Sequence, residues 1–377
     1  MMDGNNKSPI PESASRRITS LRFLLIVMVV FIHNNFTQEN IEEVAAGGTY
    51  ILFNQNLIGK WVQLFISDGI ACAAVPLFFL FAAYLQAKKA DSYGTLLRKK
   101  AKSLLVPYII WISLYVFYLA GLKLLVIKIA PGLIAKPEKN ALSWTAADWL
   151  QQTLGYRATA NGMLTFPGIA PHFWFIRDLI ILTALSPVLQ FLARRYPAAF
   201  LGLVSVAFLV PLNVYFVRDS QALFFYALGL LWGIHDIPLF EKIDQICIQG
   251  GGVLLFLMTF LLHHTLFKTN VTMYLFMIIF ACVIMLRLSA FIAANDRMRS
   301  AASYLAGFSF FLFAIHSPIL NELLKRTWLR FFPMRNGFFC LFEYFGVSAL
   351  TVIIGTAAGI ALKKICPPLF RLLTGGR

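Results

Sequence analysis

Six histidines occur in the 377-residue chain, and three of them sit where an apolar helix should not carry an imidazole. In SLRFLLIVMVVFIHNNF, His33 follows Arg22 by eleven residues within an apolar run. At 1.5 Å per residue the two are about 16 Å apart, and three turns bring them within roughly 20° of the same face. In PHFWFIRDLIILTALSPVL, His172 and Trp174 open a span and Arg177 and Asp178 follow one turn on. FSFFLFAIHSPIL sets His316 deep in a third span, about 20 Å from the side where that span begins. A fourth stretch, LLRKKAKSLLVPYIIW, runs a cationic cluster containing Lys99 and Lys102 into an apolar helix. A neutral imidazole is the usual general base toward a hydroxyl, and clustered Lys and Arg can hold phosphate groups. Each stretch also has a plainer reading. Arg22 can be a topology anchor, the His172–Asp178 segment an interfacial aromatic belt with a local ion pair, and the lysine cluster a charged flank at the membrane surface.

The elements that position these residues follow from composition. The chain is 59% hydrophobic and 13% charged, with a mean hydropathy of +0.73, whereas a soluble domain carries about 25% charged residues. Apolar runs of spanning length recur along it. Ten spans are expected, near 20–37, 61–86, 103–125, 172–192, 198–216, 220–237, 249–267, 271–291, 302–323 and 338–363. The expected fold is therefore all-α, a polytopic membrane protein of about ten transmembrane helices with no soluble domain. Residues 1–19 and 366–377 read as tails flanking a transmembrane domain over 20–365. The first span resembles a signal peptide ahead of VAAGG, but Glu39, Glu42 and Glu43 intervene, and it reads as a retained helix.

The formal charge of +16 falls in short loops between spans, which points to the membrane surface and away from nucleic acid. The Lys and Arg excess lies on the side of the N-terminus and places both termini in the cytoplasm. The segment LSWTAADWLQQTLGY suits an amphipathic helix at the outer interface, anchored by Trp144 and Trp149. Five scattered cysteines without a CxxC give neither a disulfide framework nor a metal site. The run Gly250–Gly252 lacks the spacing of a dinucleotide loop and carries no chemistry.

An ionisable group inside a span is costly and marks a functional site. By depth, His33, His172 and His316 all fall in the outer third, from three different helices. Arg22, Lys99 and Lys102 all lie at the inner face. That arrangement suits a polyanionic donor on the cytoplasmic side and proton chemistry farther out.

These segments resemble the acyltransferase family 3 membrane proteins over nearly the whole chain. RFLLIVMVVFIH is similar to the family's arginine–ten residues–histidine motif, carried by Arg22 and His33. AVPLFFLFAAYL, KKAKSLLVPYIIW, HFWFIRDLIIL and FSFFLFAIHSPIL resemble four further motifs in the family's order. The resemblance implies a ten-helix bundle that takes acetyl from cytoplasmic acetyl-coenzyme A and delivers it to a hydroxyl on the far side. The acceptor would be a cell-envelope glycan or lipid-linked saccharide, and the location the bacterial inner membrane, among lipid. It further implies His33 as catalytic and Lys99 and Lys102 as donor-binding, while depth adds Arg22 to the donor end and makes His316, then His172, the next candidates for the base. Trp174, Arg177 and Asp178 fall to the substrate side. Two departures stand out: Ala82 and Ala83 replace the family's usual Ser-Gly, and lysines replace its arginine pair, keeping charge but losing bidentate geometry. A transporter or flippase of lipid-linked saccharide and a non-catalytic membrane scaffold are the competing readings. The first is disfavoured by the lack of internal repeats and of paired Gly/Pro-broken helices, the second by three histidines at one depth.

Overall fold

The computed structural model describes residues 10–34, 57–89, 91–129, 143–156, 166–210, 216–247, 251–268, 270–332 and 337–376. Apolar periodicity makes helices throughout, and no β-strand forms among these residues. Helix α1 (Glu12–His33) buries Ile18, Leu21, Leu25 and Val29, spaced three and four apart on one face. Then come α2 (Ile58–Lys88) and α3 (Tyr93–Phe117), the latter prolonged by Tyr118–Leu122 and Lys123–Ile129. The short α4 (Ala146–Leu154) is followed by α5 (Pro171–Ala184), α6 (Ser186–Arg195), α7 (Pro197–Leu209) and α8 (Ser220–Ile234). Next are α9 (Leu239–Cys247), α10 (Gly251–Thr265), α11 (Val271–Ala294) and α12 (Asp296–Ala306). The chain closes with α13 (Ser309–Phe331), α14 (Gly337–Ile365) and α15 (Pro367–Thr374).

Four helices among the described residues, α2, α3, α11 and Phe338–Ile365 of α14, are long and apolar enough to cross a membrane. The number rises to seven if three bent pairs each count as one span: α5 with α6 (61°), α8 with α9 (107°) and α12 with α13 (52°). Helix α1 and the shorter apolar α7 and α10 occupy the other three expected positions. The chain is an all-α membrane protein.

Three expectations need correcting. The sequence reading leaned on a lack of broken helices, yet breaks occur at Ser186–Pro187, before Pro238 and at Ser317–Pro318, where proline removes an amide donor. The lysine cluster, expected as a flank ahead of a span near 103–125, is itself helical: α3 runs through it from Tyr93, with a widened turn at Ala101–Leu105 ahead of Pro107. Residues 367–374, expected within a tail, form a helix whose Phe370 is buried and whose Leu373 carbonyl accepts from the Trp111 indole at 3.0 Å. The amphipathic segment around Trp149 is helical as expected. Helix α4 starts with a Thr145/Asp148 capping box and ends at left-handed Gly155, with Trp144 and Trp149 rings 4.9 Å apart. The acidic residues at 39–43, VAAGG and Gly250 lie outside the described residues, and α10 begins at Gly251.

Helix α1 is the hub, packed by α2, α11, α12, α13 and α14. Its first turns carry a latch. Arg17 forks onto Asp244 of α9 at 2.6 and 3.0 Å, donates to Ser289 Oγ and the Leu286 carbonyl of α11, and lies over the Phe240 ring.

Lipid supplies no hydrophobic drive between helices, so close approach must come from small residues. Gly229 and Gly233 of α8 fill that role against α2. A Cβ on Gly229 would meet the Leu80 carbonyl oxygen at 2.2 Å and Ala83 at 2.9 Å, and one on Gly233 would meet Ala87 at 2.6 Å. Ala83, where the family usually has glycine, is thus a packing surface. Gly229→Ala should separate the two helices and lower the thermal midpoint in detergent, with a loss of about 1–3 kcal/mol typical of overpacking. Gly202→Ala, with nothing within 4 Å of its Cβ, is the matched control and should leave the midpoint unchanged.

Candidate active site

The site begins with a backbone problem. Helix α13 is interrupted where Ser317 turns extended (φ −135°, ψ 149°) before Pro318. In a continuous helix the Ala314 carbonyl would accept from residue 318, but proline has no N–H to give. Inside a membrane such a group must be satisfied by protein. Tyr115 and His172 do this: the Tyr115 hydroxyl donates to the Ala314 oxygen at 2.6 Å, and His172 Nε2 approaches the same oxygen at 3.3 Å. Tyr115 also reaches the Ser317 oxygen at 2.7 Å. The Phe313 carbonyl, freed by the same break, is met by His316 Nδ1 at 2.7 Å.

These contacts fix the imidazoles chemically. A carbonyl only accepts, so His316 carries its proton on Nδ1 and His172 on Nε2, leaving His316 Nε2 and His172 Nδ1 as lone pairs. Both of those atoms are buried, with no hydrogen-bond partner among the described residues. His33 completes the group. Its ring centroid is 5.1 Å from that of His316 and 6.3 Å from that of His172, and the latter two are 4.9 Å apart. His172 and His316 are buried, whereas His33 is only half-buried. The three residues expected to share a depth thus form one cluster.

The end of α1 is held by side chains where its own helix runs out. The His33 carbonyl accepts from Asn321 Nδ2 at 2.9 Å and from Lys325 Nζ at 3.4 Å, both on α13. Ser67 of α2 donates to the Phe31 carbonyl, and Asn34 donates to Ser348 of α14. Three neighbouring helices therefore set the position of His33.

A cavity of about 420 Å³ leads toward this cluster from the opposite, basic end. Arg22, Lys89, Lys99 and Lys100 stand at its mouth, while Phe78, Phe81, Phe175, Ile176 and Phe313 line its depth. Phe313 is the last wall, its ring 5.1 Å from His172 and 6.0 Å from His316. The volume suits a small-molecule site, as does an apolar interior with a few placed polar groups. Of the expected donor residues, Arg22 and Lys99 line the cavity and Lys102 does not. Lys102 is exposed, and Lys100 takes the place expected for it. Lys99 also pairs with Asp91, at 2.6 Å.

Trp174, Arg177 and Asp178 lie beyond His172 on α5 but engage other partners. Arg177 is buried between Asp178 at 2.8 Å and the Leu154 carbonyl, and Asp178 accepts from the Arg218 amide. Arg218 lies over Phe166 and Trp174. This cluster ties α4 and the segment before α8 to the start of α5. Sequence reasoning missed Tyr115, Asn321, Lys325 and Lys100. Tyr115 had a readable signal, since a proline at 318 orphans the carbonyl at 314 and some donor must answer it. No group of three or more His, Cys, Asp or Glu side chains among the described residues is placed to hold a metal ion.

The described residues thus place a three-imidazole cluster and a cavity lined by several cations within one helical membrane bundle. The acyltransferase-domain family (Acyl_transf_3) matches residues 16–362, and the chain belongs to it: it is a membrane acyltransferase. A curated relative, the succinoglycan biosynthesis protein ExoH of Rhizobium meliloti (strain 1021), is 25% identical over 97% of this chain and 93% of its own length. No solved structure matches the chain.

Removing the hydroxyl in Tyr115→Phe leaves the Ala314 and Ser317 carbonyls short of a donor. One lost bond of about 1 kcal/mol in cluster positioning corresponds to roughly a fivefold fall in turnover. Initial-rate assays in membranes should show that fall with the donor Michaelis constant unchanged. An unaltered turnover would show that His172 alone holds the break.

Proposed function

We propose that the protein is an O-acyltransferase moving an acetyl group from acetyl-coenzyme A to a hydroxyl of a cell-envelope glycan or lipid-linked saccharide. The donor enters at the basic end, which faces the cytoplasm together with both termini, in a bacterial inner membrane. The observation that carries this reading is the placement of one cavity between cations and imidazoles. The residues fit the donor: Arg22, Lys99 and Lys100 suit its phosphates, and the apolar lining suits an arm ending beside Phe313. The glycan acceptor is supported by the relative's part in succinoglycan biosynthesis.

His33 is the base in this reading because it is the one residue of the three that is only half-buried, and because its N–H is not committed to a carbonyl among the described contacts. The acceptor hydroxyl gives its proton to His33 as its oxygen forms a bond to the thioester carbonyl carbon. The carbon–sulfur bond then breaks, and the proton passes to the departing thiolate. His316 and His172 have their N–H groups committed to carbonyls, so each can only accept. They stabilise the imidazolium of His33 through their lone pairs.

His33→Ala should leave folding and donor binding intact and reduce transfer by the 10² to 10⁴ typical of a general base. Radiolabelled acetyl-coenzyme A supplied to inverted membranes measures this. Retention of more than about a tenth of turnover, against the factor a base contributes, would pass the role to His316. No label on any glycan in the wild type would favour a transporter.

The mouth gives a second outcome. Arg22→Gln and Lys99→Gln should each raise the donor Michaelis constant by about tenfold or more, as for a charge-assisted contact. Lys102→Gln should not change it. An equal effect at all three positions would mean the cluster acts through overall charge.

A further inference from the structure

Two polar side chains in the apolar wall of the cavity each hold a buried atom without a hydrogen-bond partner among the described residues. Gln86 of α2 is 5% exposed. Its Oε1 accepts from the Tyr226 hydroxyl at 3.1 Å, while its Nε2 is buried without a hydrogen-bond partner. Ser309, at the start of α13, is 8% exposed, and its Oγ is likewise buried and unpartnered. Both line the cavity, among Phe78, Phe81 and Phe310. An unsatisfied buried donor costs about 1–3 kcal/mol, so such a pair in one apolar wall implies a ligand that completes it. Leucine and alanine would otherwise fill these positions at no such cost.

Their order along the cavity identifies the ligand. Gln86 lies one turn before Lys89, which stands at the mouth. Ser309 lies seven residues before His316, about 10 Å along the helix axis. Both therefore stand between the cations and the imidazoles. A pantetheine arm has the same sequence of groups, with phosphate at one end, thioester at the other and two amides between. We infer that Gln86 and Ser309 are donor-specificity residues that hydrogen-bond the amides of a pantetheine thioester in transit through the cavity. The Gln86 amide donates to an amide carbonyl, and the Ser309 hydroxyl accepts from or donates to the other amide. An acyl lipid has a hydrocarbon chain at this depth and would leave both unpaired. The inference rests on the coenzyme A reading above and adds to it how the middle of the donor is read.

The test is calorimetric binding to the full chain in nanodiscs. One probe is coenzyme A, and the other an analogue whose two amides are replaced by methylenes at equal length. The wild type should bind coenzyme A at least about tenfold more tightly than the analogue, from two recovered hydrogen bonds. Ser309→Ala and Gln86→Leu should each weaken coenzyme A by roughly three- to tenfold, the range for one hydrogen bond, and leave the analogue unchanged. Tyr226→Phe removes the other partner of Gln86 and should change neither affinity by more than about twofold, well under the loss of one bond. Equal affinity of the wild type for both probes overturns the inference and leaves the donor reading standing, as does equal weakening of both probes by the variants. Failure of the wild type to bind either probe overturns the donor reading, and this inference with it.

Discussion

The carbonyl of Ala314 organises the histidine end of the molecule. Pro318 deprives it of its helical donor, and the apolar surroundings forbid leaving it bare. Two side chains from other helices, Tyr115 and His172, are drawn to it, and the adjoining Phe313 carbonyl holds His316. A broken helix thus becomes a template that sets the positions of two imidazoles and the nitrogen on which each carries its proton. His33 is then brought beside them because the last carbonyls of α1 need donors too, and Asn321 and Ser67 supply them. Backbone satisfaction comes first, and the constellation follows.

The basic end obeys a different rule. There water and ions compete with every charge, so single surface pairs count for little. What persists is the partly buried network around Arg17, which joins α1 to α9 and α11 with four hydrogen bonds and a ring contact. Arg22, one and a half turns on, faces the cavity mouth. One helix therefore carries the latch, the mouth and the half-buried imidazole in that order, which makes its axial position the quantity the rest of the bundle has to hold.

Much of this was legible in the sequence because the membrane makes anomalies conspicuous. Three histidines and one arginine in apolar runs stand out by cost alone, and helical rise sets the histidines level with one another and Arg22 at the other end. Lateral arrangement was not legible: nothing in the spacing of Lys99 and Lys102 says that Lys99 faces the cavity and Lys102 does not, since the widened turn before Pro107 shifts the register between them. Arg177 and Asp178 read as substrate-side residues, but a helix presents different faces at neighbouring positions, and theirs meets Leu154 and Arg218. Gln86 and Ser309 drew no notice because one polar residue in a span is ordinary until its partner is sought. Helix breaks were underestimated because each depends on where a proline falls relative to its neighbours' carbonyls rather than on composition.

The cavity that opens among cations runs inward only as far as Phe313. On the proposed reaction, the spent thiol must back out through the mouth by which the donor came in. Free coenzyme A and its acylated form then contend for one berth, and their shared nucleotide gives neither an advantage at the cations. The rate of acylation outside would therefore follow the ratio of charged to uncharged carrier within the cell rather than the amount of either. Decoration of the cell envelope would then rise and fall with the acyl supply of central metabolism.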